Sequence, residues 1–416
     1  MVWLIDRSPA RMYTLFPQGN KKLLRGNDVM QKFVFENPTK IVFGKDQIKK
    51  TGGEVRKFGR KVLMVYGQGS IKKSGVYDQV VASLKEAGLA IVEFPGVRSN
   101  PVLSYALKGI DVAKKEGVDV ILAVGGGSVM DTAKTIAVGA KTDDDVWDYF
   151  VFKKAIQGAL PLLTVVTLSA SASEMNSGAV ITREDEAKKY SIMSPYIQPK
   201  TSILDPTALF TLSPAYSAYS AVDAIAHMLE PYFCNTEPNS LLQDRLVESL
   251  VKTVMESTEA ILKDPADYDA RANMMWAAIL GFNGITTAGM GRIALPAHMM
   301  EHALSALYDI AHGAGLSITL PAWMSYMVEK NPAKFARLGR ELFGIEGKDN
   351  LKVAVAGIVR LKEWFASIGS PVSLGEAQIP EEDIGKITNN AYVLAQLWRL
   401  DDYTEEVITD ILKLCK

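Results

Sequence analysis

The chain contains little cysteine, little histidine and no surplus of charge of either sign. Its two cysteines, Cys234 and Cys415, are too few for a disulfide framework or a cysteine-rich zinc site. Lys and Arg number 46 against 47 Asp and Glu, so a net charge of −1 gives no overall attraction to nucleic acid or an acidic membrane. Reduced thiols in so long a chain are typical of a cytoplasmic protein.

Long apolar runs are also absent. None reaches the roughly 18 residues that a membrane span needs, and the opening "MVWLIDRSPARMYTLF" lacks the apolar stretch of a secretory signal. Apolar residues nevertheless make up 48% of the chain, which is enough for a large buried core. We therefore expect a globular cytoplasmic protein that has no leader peptide and does not enter a membrane.

Short apolar runs alternate with amphipathic segments in the first half of the chain. The strand-like runs are 61–66, 89–94, 118–124 and 160–168. The segments with helical spacing are 75–88 and 102–117, and the latter ends in glycine. This alternation predicts a parallel sheet covered by helices on both faces, with a last strand inside 201–214.

The pattern changes near residue 210, after which strand-like alternation nearly vanishes. Long amphipathic or wholly apolar segments then dominate, namely 215–233, 240–263, 267–289, 298–308, 351–368 and 381–399. We predict an N-terminal extension over residues 1–31, an α/β domain over 32–212 and an all-helical domain over 213–416.

A glycine-rich turn lies between a buried strand and a helix in "VDVILAVGGGSVMDTAK". Glycines allow close approach of the backbone to a ligand, and a helix start offers unpaired N–H groups to an anion such as a pyrophosphate. The turn does not have the GxGxxG spacing, so the ordinary dinucleotide fingerprint does not apply. A tight turn with nothing bound remains the alternative. The residues concerned are Gly125, Gly126, Gly127 and Ser128.

A second turn, "VYGQGSIKKSG", follows an earlier strand. NAD-binding sites often have an acidic residue at such a strand end, where it holds the ribose 2′-OH. This turn has none, and Lys72 and Lys73 follow closely, so a 2′-phosphate would be accepted and we favour NADP over NAD. The alternative is that both lysines are solvated surface residues. The candidate cofactor-binding residues here are Gly67, Gln68, Gly69 and Ser70.

The four histidines of the chain cluster. His298 and His302 are four apart on one helical face, as are Asp223 and His227, and His312 precedes Gly313 at a point where we expect a helix to end. Two ligands at i and i+4 can face one ion, and one Asp with several His side chains is a coherent ligand set for Fe(II) or Zn(II). The alternative, single histidines bonded to backbone, does not account for the presence of all four in this pattern.

These segments resemble one known family. "YGQGSIKKSGVYDQV", "VGGGSVMDTAK", "AVDAIAHMLE" and "HMMEHALSALYDIAHGAGL" are similar to the iron-containing (group III) alcohol dehydrogenases, and above all to their butanol dehydrogenase-like, NADP-using branch. The resemblance runs from about residue 32 to the C-terminus. It implies an α/β dinucleotide-binding domain and an all-α metal-binding domain, in the architecture of dehydroquinate synthase, and a homodimer.

The resemblance also implies roles for single residues. His302 corresponds to the extra histidine near the metal, to which proton relay or nicotinamide contact is often assigned. The metal ligands correspond to Asp223, His227, His298 and His312. The cofactor-binding residues correspond to Gly125, Gly126, Gly127, Ser128 and Asp131 at the pyrophosphate, and to Thr167, Leu168 and Ser171 at the adenine and ribose.

Two departures from the family pattern affect the expected pocket. The family's "TTAGTGSE" reads "TLSASASE" at 167–174, so backbone approach to the cofactor is expected to differ there. The usual proline before the last ligand is Ala311, and "AGMGRIALPA" before His298 is atypical.

The expected reaction is reversible hydride transfer between NADP(H) and a small primary alcohol or aldehyde, with Fe(II) or Zn(II) as a Lewis acid. One alternative is a non-redox lyase of the dehydroquinate synthase type, which needs basic residues for an acidic substrate; near the histidines only Arg292 is basic. The other is a scaffold protein whose metal only ties helices together, although a chain of this size hardly needs that.

Overall fold

The computed structural model describes residues 31–237 and 240–416, and the chain divides into two compact units. The sheet unit comprises Asn37–Ser217 and Ser257–Ile279. The helical unit comprises Ala218–Glu256 and Leu280–Lys416, together with the described residues 31–36. The predicted extension over 1–31 lies outside the described residues except for its last residue, and the domain boundary after residue 212 stays a prediction.

A six-stranded, fully parallel sheet forms the centre of the sheet unit, as the alternating pattern predicts. Its strand order is β1-β8-β5-β4-β2-β3, and a separate antiparallel hairpin, β6–β7, had not been predicted. The strands are β1 (Lys40–Phe43), β2 (Lys61–Gly67), β3 (Ala90–Val97), β4 (Val120–Gly125), β5 (Leu162–Val166), β6 (Gly178–Arg183), β7 (Lys188–Met193) and β8 (Thr201–Leu204).

The order of the strands reverses at β2. From β2 the chain adds β3 on one side, and β4, β5 and β8 then follow on the other side. Ligands of open α/β sheets bind beyond the carboxyl ends of the strands at such a switch point. The central strands are buried because helices cover both faces of the sheet. The helices of this unit are α1 (Thr51–Val55), α2 (Ser70–Lys73), α3 (Val76–Glu86), α4 (Leu103–Glu116), α5 (Gly127–Gly139) and α6 (Trp147–Phe150).

The second half of the chain is helical, as predicted. Three helices, α7 (Pro214–Phe233), α8 (Leu241–Lys263) and α9 (Tyr268–Gly281), have residues in both units. The others are α10 (Pro296–Tyr308), α11 (His312–Met327), α12 (Pro332–Phe343), α13 (Asn350–Ser367), α14 (Ile384–Leu397) and α15 (Glu405–Lys413). No helix among the described residues is both long enough and apolar enough to cross a membrane.

One predicted helix ends earlier than expected, and another ends as expected. The segment 267–289 is helical only as far as Gly281, because Gly284 and Gly289 adopt positive φ angles that end the regular structure. The helix predicted over 298–308 ends where predicted, and the chain turns back before His312. Helix α10 ends at Tyr308, the chain turns through Asp309 at φ 53°, and His312 is the first residue of α11.

Candidate metal and cofactor sites

The helical unit brings all five predicted metal-site residues together. Asp223 and His227 lie on α7, His298 and His302 on α10, and His312 at the start of α11. Ligand atoms of Asp223, His227 and His298 lie within 4.8 Å of one another, and those of His302 and His312 meet the same limit. Oδ1 of Asp223 lies 3.7 Å from Nε2 of His298 and 3.7 Å from Nε2 of His312, which places a carboxylate between two imidazoles.

The chemistry of these side chains fits a divalent ion. Oδ1 of Asp223 and Nε2 of His298 are buried and have no hydrogen-bond partner among the described residues. An unpaired buried acceptor is costly, and a cation that accepts a lone pair from each atom removes that cost. Nδ1 of His227 lies 3.0 Å from the main-chain oxygen of Asp223 and 3.0 Å from its Oδ1. One carboxylate and three imidazoles suit Fe(II) or Zn(II).

Two glutamates that the sequence analysis missed stand behind the histidines. The Nδ1–H of His298 donates to Oε2 of Glu230, and the Nδ1–H of His312 donates to Oε2 of Glu301. Both glutamates have 0% exposure. Carboxylates in this position fix the tautomer and the orientation of metal-binding imidazoles. Their sequence signal is a charged residue on an otherwise apolar helix, three residues after His227 in one case and directly before His302 in the other.

The site favours positive charge. Burial opposes ionisation of Asp223, but the adjacent His227 and His312 outweigh it and hold the pKa of Asp223 well below its usual range. Burial would lower the pKa of His298, but Glu230 and Asp223 outweigh it and raise that pKa to about 10. A cluster that stabilises protonated imidazole in this way is also one that attracts a metal cation.

His302 lies beside the ligand cluster. Its ring centre is 5.7 Å from that of His312, and it meets Trp398 edge to face at 5.4 Å. His302 is itself buried, whereas the side chain of His312 keeps 25% exposure. Among the candidate ligands, His312 is therefore the one through which the cluster reaches the surface of this unit.

In the sheet unit the predicted cofactor residues gather at one edge. Gly67 ends β2, Gly125 ends β4, and Thr167 directly follows β5. These three strands are neighbours in the sheet and run parallel, so their carboxyl ends meet at the switch point. Gly126 precedes the 13-residue helix α5 without a capping side chain, which leaves the helix start open to an anion.

The glycine-rich turn packs against the segment after β5. A Cβ atom on Gly126 would lie 2.9 Å from Cβ of Leu168, and one on Gly127 would lie 2.7 Å from Oγ of Ser171. The glycines are therefore required by the protein's own packing, whatever else they contact. Ala172, at a position where the family pattern has glycine, adopts a left-handed conformation with φ 51°, which costs a non-glycine residue about 1 kcal/mol.

Asp131 is engaged within the protein. Its carboxylate accepts hydrogen bonds from the Ser173 hydroxyl at 2.8 Å and from the Val180 amide at 3.1 Å. Burial raises the pKa of Asp131 to about 6, with Lys134 opposing the shift. In this structure Asp131 thus ties α5 to the segment after β5, and direct contact with a pyrophosphate stays a prediction.

The lysines of the second turn differ from each other. Nζ of Lys72 lies 4.8 Å from the centre of the Tyr77 ring and 5.6 Å from that of Tyr66. Both tyrosines donate hydrogen bonds to Glu93; the bond from Tyr66 is the main cause of the lowered pKa of Glu93, and the charge of Lys72 adds to it. Lys73 is exposed. Lys73 is therefore more available than Lys72 to bind a 2′-phosphate.

Comparison with known proteins identifies the family. The profile of the iron-containing alcohol dehydrogenases matches residues 38–206, and that of the C-terminal region of the same family matches residues 217–415. The chain is 40% identical to the probable NADH-dependent butanol dehydrogenase 1 of Bacillus subtilis, over 92% of this chain and 99% of the relative. It is 36% identical to the NADPH-dependent aldehyde reductase YqhD of Escherichia coli, over 83% and 89%.

Solved structures agree with the sequence comparison. The crystal structure of NADH-dependent butanol dehydrogenase A from Thermotoga maritima matches with a TM-score of 0.90 and 47% identity, and the match covers 93% of this chain and 99% of that one. The resemblance predicted from the histidine and glycine motifs is thereby confirmed, together with the predicted fold class. The chain belongs to the iron-containing alcohol dehydrogenase family of oxidoreductases.

Proposed function

We propose that this protein is a metal-dependent alcohol dehydrogenase and aldehyde reductase, which transfers hydride between NADP(H) and small primary alcohols or aldehydes such as butanol and butanal. The relatives that are named for butanol and aldehydes support the substrate class. The observation that carries the proposal is the pair of unpartnered buried atoms, Oδ1 of Asp223 and Nε2 of His298, in a cluster of histidines.

Asp223, His227, His298 and His312 would hold the metal, which is Fe(II) or Zn(II). When bound, such an ion supplies Lewis acidity that makes an alcohol easier to deprotonate and a carbonyl easier to reduce. His302 lies beside this cluster, and we propose that it moves the alcohol proton between substrate and solvent, since an imidazole titrates near neutral pH. The His302 ring is buried and meets Trp398 edge to face, so the proton would reach solvent through neighbouring groups.

The surroundings of the histidines favour a small, neutral substrate. Met299 and Met300, which separate two of the histidines on α10, are fully buried and apolar. Arg292, the basic residue that an acidic substrate would need, is exposed and donates a hydrogen bond to the main-chain oxygen of Arg399 at 2.6 Å. These features argue against the lyase alternative.

A cavity of about 570 Å³ in the helical unit adds to this argument. Ala311 and Ala314, on either side of the partly exposed His312, line it, as does Tyr219, which lies one turn before Asp223 on α7. The walls combine small side chains with the carboxylate of Glu376, which would repel an acidic substrate, and the volume has room for a small alcohol. Alanine at 311, where the family pattern has proline, helps to leave this space open.

We propose that NADP(H) is preferred over NAD(H). The turn at Gly67 has no carboxylate that could bind the ribose 2′-OH of NAD or repel the 2′-phosphate of NADP. Lys73 is exposed nearby. Relatives carry both kinds of name, NADH-dependent and NADPH-dependent. The test is kcat/KM for each coenzyme in the wild type and in Lys73→Ala. The variant should lose efficiency with NADPH and keep it with NADH; an equal change with both would contradict the proposal.

The activity itself is tested by following coenzyme absorbance with butanal. Net oxidation of NADPH, with butanol as product, is expected from a dehydrogenase. A lyase regenerates its coenzyme in each cycle, so a conversion of acidic substrates without net coenzyme change would overturn the proposal. The homodimer and the cytoplasmic location stay predictions, which a sedimentation measurement and cell fractionation would check.

A further inference from the structure

We propose that Glu230 and Glu301 are positioning residues that set the tautomer and the donor strength of two metal ligands, His298 and His312. This inference rests on the metal site of the proposed function. It concerns residues that lie behind the ligands, and it assigns the two glutamates different roles.

Glu230 makes two kinds of contact at once. Its Oε1 accepts hydrogen bonds from the main-chain N–H groups of Ala297, at 2.5 Å, and His298, at 3.2 Å. Helix α10 has no side-chain cap from its own preceding residue, Leu295, so Glu230 supplies acceptors for the first turn. Its Oε2 accepts the Nδ1–H of His298. One buried carboxylate therefore holds both the backbone and the ring of this ligand.

The Nδ1–H bond decides which nitrogen can bind a metal. While Nδ1 carries the proton, Nε2 keeps a free lone pair, and this Nε2 is the buried atom without a partner near Asp223. In a Glu230→Gln variant the amide oxygen is needed for the two backbone N–H groups. The NH₂ group then faces Nδ1, which must become an acceptor, and the proton moves to Nε2. That tautomer cannot bind a metal through Nε2.

Glu301 tolerates the same change differently. Its Oε2 accepts the Nδ1–H of His312, while its Oε1 accepts the hydroxyl of Ser305. The Ser305 hydroxyl is also 3.1 Å from the main-chain oxygen of Ile310 and can donate there instead. In a Glu301→Gln variant the amide oxygen can keep the Nδ1–H bond, and the NH₂ group can donate to Oγ of Ser305. This variant removes the charge but keeps the tautomer.

The test is the affinity of the metal-free protein for Co(II), measured by competition with a chelator and by the visible absorption of the bound ion. Loss of a carboxylate partner typically costs about 10- to 100-fold in metal affinity. We expect a loss of about that size for Glu230→Gln and a smaller one for Glu301→Gln. The matched control is Glu248→Gln, since Glu248 is also buried in this unit but binds Tyr232 and Arg337; its Co(II) affinity should be unchanged.

Wild-type affinity in both glutamine variants would overturn the inference, and equal losses would overturn the distinction between tautomer and charge. If Glu230→Gln does not fold, ¹⁵N shifts of the His298 ring in Zn(II)-loaded wild type decide the matter. A protonated Nδ1 and a coordinated Nε2 are expected, and the reverse would contradict us. Wild type that binds Co(II) but does not turn over butanal would refute the proposed function and leave this inference standing.

Discussion

The substitution Gly313→Ala adds a single methyl group, which should displace a proposed metal ligand and weaken metal binding. Gly313 follows His312 and packs against α7 one turn before Asp223, and both His312 and Asp223 are proposed metal ligands. A Cβ atom at this position would lie 2.1 Å from the main-chain oxygen of Tyr219. Cβ atoms in proteins essentially never approach another heavy atom more closely than 3.0 Å. Because the contacted atom belongs to the backbone and cannot rotate away as a side chain could, α11 must move away from α7 by about 0.9 Å.

That displacement can be compared with what a metal tolerates. Nε2 of His312 lies 3.7 Å from Oδ1 of Asp223, and metal–ligand distances hold to within about 0.2 Å. A shift of about 0.9 Å exceeds this tolerance several-fold, and overpacking of a buried contact costs about 1–3 kcal/mol besides. We expect the Gly313→Ala protein to melt at a lower temperature and to retain little metal after dialysis.

Gly385→Ala is the matched control for this experiment. Gly385 lies on α14 in the same unit, it is exposed, and nothing lies within 4 Å of a Cβ placed there. Alanine in an open helical position is favoured over glycine by about 0.5–1 kcal/mol, so this variant should be slightly stabilised and keep its metal. Calorimetry and metal analysis of both proteins decide the matter. A Gly313→Ala protein with wild-type melting temperature and metal content would refute the reasoning.

Three further predictions concern other parts of the two sites. His298→Ala should lose metal and activity together, whereas His302→Ala should keep the metal and lose about 10²- to 10⁴-fold in kcat; a metal-free His302→Ala protein would show that this residue is a ligand. Gly126→Ala should weaken coenzyme binding, measured by fluorescence titration, because its Cβ meets Leu168, and unchanged affinity would contradict that packing. Burial raises the pKa of Glu174 to about 7, so the folded protein holds a proton that the unfolded chain has released, and stability should fall between pH about 4.5 and 7. Glu174→Gln should flatten that slope in denaturant titrations, and an equally steep slope in the variant would refute the assignment.

The sequence was most informative where a local pattern determined the structure. The parallel sheet follows from short apolar runs such as 118–124, because a strand buried on both faces needs apolar residues throughout. The metal cluster could be predicted because histidine is rare in this chain, and because an i,i+4 pair on a helix can direct two side chains at one ion. The assignment of Asp223, His227, His298 and His312 as metal ligands came from the family resemblance and stays a prediction.

Other features depend on packing that no local pattern displays. Helix α11 was not among the predicted helices, because "HGAGLSITLPAWM" is apolar on all sides and shows no amphipathic period. The proposed roles of Glu230 and Glu301 depend on the histidine nitrogen that each carboxylate contacts. These histidines, His298 and His312, lie 68 and 11 residues further along the chain. Asp131 matches a cofactor motif in the sequence, yet its hydrogen-bond partners, Ser173 and Val180, become visible only in the fold.

The most direct test of the central claim is the rate of NADPH oxidation with butanal by chelator-stripped protein, before and after Fe(II) is added, with His298→Ala treated in parallel. Metal-dependent catalysis at this site predicts that activity appears only with the metal and only in the wild type. No turnover by folded wild-type protein that has demonstrably taken up Fe(II), or equal turnover with and without the ion, would contradict it.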